Sequence, residues 1–284
     1  MVSLCFALLL AAGAPKCEAK PLTIGLSAPT GARAALQGGE AIAAALTMAL
    51  GRPVKDEPYS SYDALAEALA TGKVDFAWIT PVAYVKATQK NKNVTPLRKA
   101  VRGGSGYYLS ALIVKTSSKA QKLDDLKGKT LAWLGPSSSS GGIFARAILE
   151  KAGKDPDKFF GQQLRLGDHK SVCEAVRDGA ADVGATFADP RKDGKLEADG
   201  CRVALGDAKA FRVIASSAKI PNDVVVAGAS VDADLAEDFG KALDGLGKTE
   251  LGKAALAKGF ACDGFAIVED TDLDPVRAAR WETD

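Results

Sequence analysis

Short apolar runs rich in β-branched and aromatic residues alternate with longer Ala/Leu-rich stretches at helical spacing along most of the chain. "LTIGLS" (Leu22 to Ser27) has the length and composition of a strand. Ala34 to Leu50 then carries its apolar residues at helical intervals and stops at Gly51. Further strands are predicted at Val74 to Thr80, Tyr108 to Lys115, Thr130 to Gly135, Ala181 to Phe187 and Phe211 to Ser217, with helices or turns between them. Strand and helix in such alternation predict an α/β protein with a parallel or mixed sheet covered by helices on both faces.

Part of this pattern occurs twice. "YDALAEALATGKVDFAW" (Tyr62 to Trp78) aligns without a gap on "HKSVCEAVRDGAADVGA" (His169 to Ala185), pairing Glu67 with Glu174, Ala68 with Ala175, Gly72 with Gly179 and Asp75 with Asp182. Each copy reads as a helix ended by a glycine suited to left-handed backbone, then an Asp-containing turn and a strand. Two copies are too few for a solenoid, so they predict two similar α/β lobes. The alignment also matches Tyr62 with His169, the one histidine of the chain, at the starts of their helices. Both side chains would then face the space between the lobes.

Composition excludes several classes. The chain has 284 residues, 37 basic and 35 acidic, with no basic block, which gives no footprint for nucleic acid. One histidine and scattered cysteines offer no metal-ligand cluster, and no cofactor motif stands out. Val2 to Ala14 form an apolar run too short for a bilayer that needs about 20 residues, but suited to the core of a secretory signal. Residues 1–19 are therefore expected to be a signal peptide, cleaved after Ala19, although a basic n-region is lacking. Cys17 follows Ala14-Pro15-Lys16, a poor context for lipidation, so free export is favoured over anchoring. Past the leader, Cys173, Cys201 and Cys262 remain. Cys173 and Cys201 could form a disulfide in an oxidising compartment, or all three could be small buried side chains; spacing does not choose.

The densest chemistry lies in "TLAWLGPSSSSGGIFARAIL" (Thr130 to Leu149). A strand is broken by Gly135-Pro136, and Phe144, Ala147, Ile148 and Lys151 mark a following helix. Ser137 to Gly142 thus stand at a helix N-terminus, where unpaired N–H groups and the helix dipole favour an oxyanion. Serine hydroxyls add donors, and Gly141 and Gly142 would let the backbone approach a ligand. No lysine completes a nucleotide P-loop.

With these motifs, the chain resembles the phosphate-, phosphite- and phosphonate-binding proteins of ABC importers, periplasmic proteins of the type II two-lobe fold with a ligand cleft between lobes. The resemblance rests on "YDALAEALATGKVDFAWITPVAYV", "GYYLSALIVK", "LDDLKGKTLAWLGPSSSSGG", "GDHKSVCEAVRDGAADVGATF", "RVIASSAKIPND" and "DPVRAARW". It implies a phosphorus-binding loop at Ser138, Ser139, Ser140 and Gly141, a cleft tyrosine at Tyr62, a histidine at His169, an acid at Asp189, and an aromatic at Tyr107, with Tyr108 as the alternative one register away. Ser216 and Ser217 stand where some aminophosphonate binders carry an acid for the ligand amine, which leans towards phosphate, phosphite or a simple alkylphosphonate. One lobe would comprise residues 20–112 and 214–284, the other residues 113–213. A monomer delivering its ligand to a membrane permease is the implied partner scheme. A sensor presenting the bound anion to a signalling protein is the alternative. A hydrolase using Ser139, His169 and Asp189 is disfavoured, because no Gly-x-Ser-x-Gly elbow is present.

Overall fold

Two mixed sheets organise the chain. The computed structural model describes residues 20–27, 33–136, 138–191 and 193–279; the predicted leader at residues 1–19, Ser137 and Trp281 lie outside them. The first sheet has the order β12-β4-β11-β3-β1-β2, made of β1 (Leu22–Ser27), β2 (Val54–Tyr59), β3 (Phe76–Ile79), β4 (Thr95–Val101), β11 (Val224–Ala227) and β12 (Gly264–Ile267). β1 runs parallel to β2 and β3, whereas β11 is antiparallel to β3 and β4. The second sheet runs β10-β5-β8-β6-β7, with β9 also on β5. Its strands are β5 (Tyr107–Lys115), β6 (Thr130–Trp133), β7 (Gln162–Arg165), β8 (Val183–Ala188), β9 (Phe211–Ser216) and β10 (Ile220–Pro221).

Helices cover both faces of each sheet, because successive strand residues point to opposite sides. On β3, Phe76 joins the core under α1 (Arg33–Leu50), α8 (Ala233–Leu246) and α9 (Glu250–Gly259), while Ala77 and Ile79 join the core under α2 (Tyr62–Ala70) and α3 (Pro81–Lys90). Phe76 stacks on Phe239 of α8 with ring centroids 3.6 Å apart. In the second lobe, Ala111 and Ile113 face α6 (His169–Asp178) and α7 (Asp199–Leu205). Leu112 and Val114 face the opposite way, towards α4 (Phe144–Lys151) and α5 (Pro156–Phe159). The short α10 (Asp274–Ala278) packs on α3.

The duplicated segment forms the same unit in both lobes. Asp75 accepts from Thr23 N–H at 2.8 Å, and Asp182 accepts from Thr130 N–H at 3.0 Å, each carboxylate 52 residues beyond its threonine. Gly72 and Gly179 have φ of +69° and +84°, the left-handed values that favour glycine. Cys173 and Cys201 form a disulfide between α6 and α7, deciding the choice that spacing left open; Cys262 is a buried free thiol.

The lobe boundaries differ from the sequence expectation. β5 and β9 pair with each other across Ala111–Lys115 and Phe211–Ser216, so both lie wholly in the second sheet. Cuts at 112/113 and 213/214 would sever that ladder. The chain instead passes between sheets at Arg102 to Gly106 and at Asn222 to Asp223. Gly103 and Gly104, at φ of +55° and +78°, make the first crossing a tight turn closed by Arg102 and Ser105. Asn222, 2% exposed, ties the crossings together: its Nδ2 donates to Ala100 O and Ser105 O, and its N–H to Gly106 O, each at 3.0 Å.

Candidate functional site

Local capping places two of the predicted side chains. Ser61 and Asp168 are extended N-cap residues whose side chains accept from Ala64 N–H at 3.1 Å and Ser171 N–H at 2.7 Å. Tyr62 and His169 are therefore each the first residue of a helix, α2 in one lobe and α6 in the other. Burial, then the nearby charge of Asp223, pushes the Tyr62 phenol up to about 12, with Arg102 opposing. Burial lowers His169 to about 4 against the pull of Asp168, leaving a neutral imidazole at physiological pH. Its Nδ1 lies 3.1 Å from Thr186 Oγ1, and its ring meets Phe187 edge-on at 5.2 Å.

The serine loop has its own architecture. Ser138 caps Ser139–Ile143, a wide helical turn in which Ile143 N–H donates to Ser138 O, and α4 follows. Ser138 Oγ accepts from Gly141 N–H at 3.3 Å, so it serves first as a cap. Packing by itself requires Gly141 and Gly142. A Cβ on Gly141 would lie 2.6 Å from Leu134, and one on Gly142 2.2 Å from Gly135 O. Ser140 O is held by the buried Ser110 hydroxyl at 2.6 Å, fixing the loop to β5. Ser139 differs from its neighbours. It is 4% exposed, and among the described residues its hydroxyl makes no hydrogen bond of ordinary geometry, approaching the Tyr108 phenol only loosely.

Of the tyrosine pair on β5, Tyr108 faces this loop. Burial and Asp223 raise its phenol strongly, while the nearby Ser139 hydroxyl and Arg102 counter that rise. Tyr108 also meets Phe187 edge-on at 6.4 Å, so Phe187 links it to His169. Tyr107 points the other way: its hydroxyl donates to Asp272 at 2.5 Å and accepts from Lys99 at 2.9 Å. The structure thus brings Tyr108 to Ser139 and removes Tyr107 from it. Asp189 follows β8, its N–H on Asp199; burial and then the Asp199 charge raise its carboxyl, against Arg202, Arg102 and Arg191. Ser217, just after β9 and short of the second crossing, is absorbed by β5, accepting from Ser110 N–H and donating to Ala218 O.

Sequence reasoning misses Arg102 and Asp223. They stand on the two crossings and form a 2.7 Å ion pair whose charges act on Tyr62 and Tyr108. "IPND" contains the acid, but nothing local links it to an arginine far upstream. Ser27 is also missed; its hydroxyl is buried without a partner among the described residues at the C-terminal end of β1, the strand edge where α/β ligands bind.

This arrangement offers hydroxyls, a neutral imidazole and helix N–H groups to an anion. Residues 28–273 match the family described as ABC transporter, phosphonate, periplasmic substrate-binding protein. The chain belongs to this family. It is a family of binding proteins and not of enzymes. The chain is 29% identical to the phosphate-import protein PhnD of Mycolicibacterium smegmatis over 146 residues, covering 48% of this chain but 46%, about half, of that relative. A binding protein component of an ABC phosphonate transporter from Pseudomonas aeruginosa has a TM-score of 0.71 at 22% identity, covering 91% of this chain and 85% of that one. PhnD1 of Prochlorococcus marinus in complex with methylphosphonate has a TM-score of 0.73 at 18% identity, covering 91% and 96%. These likenesses establish the type II binding-protein fold for this family member. Binding proteins of ABC importers are extracytoplasmic, and among the described residues no helix is long and apolar enough to cross a membrane.

Proposed function

We propose that this protein is the solute-binding component of an ABC importer, taking phosphate, phosphite or a small alkylphosphonate into the cleft between its lobes and delivering it to a membrane permease. The observation that carries this reading is the buried Ser139 hydroxyl at a helix start, which makes no hydrogen bond of ordinary geometry among the described residues. A buried polar group without a partner costs about 1–3 kcal/mol, and an oxyanion would satisfy it. Ser138, Ser140 and the N–H groups around Gly141 surround the same oxygens; Tyr62 approaches from the other lobe, and Tyr108, rather than Tyr107, from β5. His169 supplies a neutral donor, and Asp189 stands beside it on the same lobe. Ligand contacts in both lobes favour the closed state by differential affinity, and the permease reads that state. The phosphate named for the Mycolicibacterium relative and the methylphosphonate bound to the Prochlorococcus protein support this ligand class.

The test is a thermal-shift panel on protein stripped of ligand by unfolding and refolding, with phosphate, phosphite, methylphosphonate and sulfate. A ligand at one hundred times its Kd adds ~2.7 kcal/mol of stability. A shift with a phosphorus anion and none with sulfate is expected; no shift with any of them would end the reading.

A further inference from the structure

The Arg102 guanidinium is held rigidly at the first crossing. Its Nη2 donates to Asp223 Oδ2 at 2.7 Å and to Phe260 O at 3.2 Å, and its Nε donates to Ala261 O at 3.0 Å. Its Cζ lies 5.7 Å from the Trp78 ring centroid. Nη1 makes no hydrogen bond among the described residues, and the side chain is 31% exposed. A guanidinium cannot lose its proton in a protein, and one already pinned loses little further entropy when it acts on a ligand.

Its charge reaches both walls of the cleft, acting on Tyr62 in one lobe and on Tyr108 and Asp189 in the other. It also cancels the acid nearest the two phenols, because Asp223 is its direct partner. The other acid of the site, Asp189, is driven towards its neutral form. The carboxylate whose charge acts on both phenols is therefore already paired and offers little to a ligand ammonium.

We propose that Arg102 is the charge-selecting residue of the cleft, favouring phosphorus oxyanions with neutral substituents and disfavouring zwitterionic aminophosphonates by neutralising Asp223. This rests on the anion-binding reading above. Removing the guanidinium would weaken the attraction for the anion and leave Asp223 free to meet an ammonium group. The difference of one charge is worth on the order of tenfold in the preference between the two ligand types.

Isothermal titration of the stripped full chain with methylphosphonate and 2-aminoethylphosphonate tests this, comparing wild type with Arg102→Gln, Arg102→Lys and Asp223→Asn. Wild type should prefer methylphosphonate by about tenfold or more. Arg102→Gln should narrow or reverse that ratio, Arg102→Lys should keep it by retaining the charge, and Asp223→Asn should widen it. An unchanged ratio in Arg102→Gln, or equal weakening of both ligands there and in Arg102→Lys, would show a merely structural role and overturn the proposal. If Arg102→Gln does not fold, the ratio in Asp223→Asn decides, and a ratio that fails to widen overturns it. Wild-type protein that binds neither these ligands nor phosphate refutes the anion-binding reading and this inference together, whereas binding without charge selection refutes this inference alone.

Discussion

His169 Nδ1 lies 3.1 Å from the fully buried Thr186 hydroxyl, which holds the imidazole at the start of α6 inside the second lobe. In the folded protein the ring stays neutral until pH falls to about 4, against 6.5 for an unperturbed histidine. Between these values the unfolded chain binds more protons, so this group makes stability fall as pH drops from 6.5 towards 4 and has no effect well above 6.5. Asp189 acts in the opposite sense, because a raised carboxyl pKa makes protonation favour the folded state. Melting temperatures across this window should therefore decline more gently in His169→Gln than in wild type, and more steeply in Asp189→Asn. Equal slopes in wild type and His169→Gln would contradict a buried neutral ring.

Ser139→Ala should separate stability from binding. The substitution removes a buried hydroxyl that makes no well-formed hydrogen bond among the described residues, so the ligand-free protein should melt at the same temperature or higher, relieved of ~1 kcal/mol of desolvation cost. The shift caused by phosphate or methylphosphonate should disappear. A clear drop in ligand-free stability would mean that the hydroxyl has a structural partner.

Tyr107 and Tyr108 should behave as opposites. Tyr107→Phe takes a hydroxyl from between Lys99 and Asp272, whose side chains are 7% and 8% exposed, and should cost about 1–3 kcal/mol in urea unfolding while leaving ligand affinity unchanged. Tyr108→Phe should weaken methylphosphonate binding by about tenfold with little effect on stability. The reverse pattern in titration and unfolding would return the site to Tyr107.

Reduction of Cys173–Cys201 should be visible in the same unfolding assay. The bond joins α6 to α7 across 28 residues, and α6 begins with His169. Breaking it should lower stability by roughly 2–4 kcal/mol. The Cys173→Ala, Cys201→Ala double variant should match the reduced protein and be insensitive to reductant. A melting temperature unmoved by reductant would argue against the bond.

Local signals determine much of this protein. The glycines at 72 and 179, the caps Ser61 and Asp168, and the matched Asp75 and Asp182 act within a few residues of themselves or on the start of a neighbouring strand. Two α/β lobes and the positions of Tyr62 and His169 could thus be read from the chain alone. Strands β2, β4 and β11 carry no such mark: β2 and β4 contain prolines and charges, and β11 is a short run buried on both faces. Tertiary structure decides the rest, because the deciding neighbours are distant in sequence. Adjacent strand residues face opposite sides, so only packing settles which tyrosine meets Ser139: Tyr108 shares a face of β5 with Ser110, whose hydroxyl bonds the serine loop. Gly141 and Gly142 owe their identity to the preceding strand end, and Arg102 and Asp223, 121 residues apart, acquire a joint role only where the two crossings lie side by side.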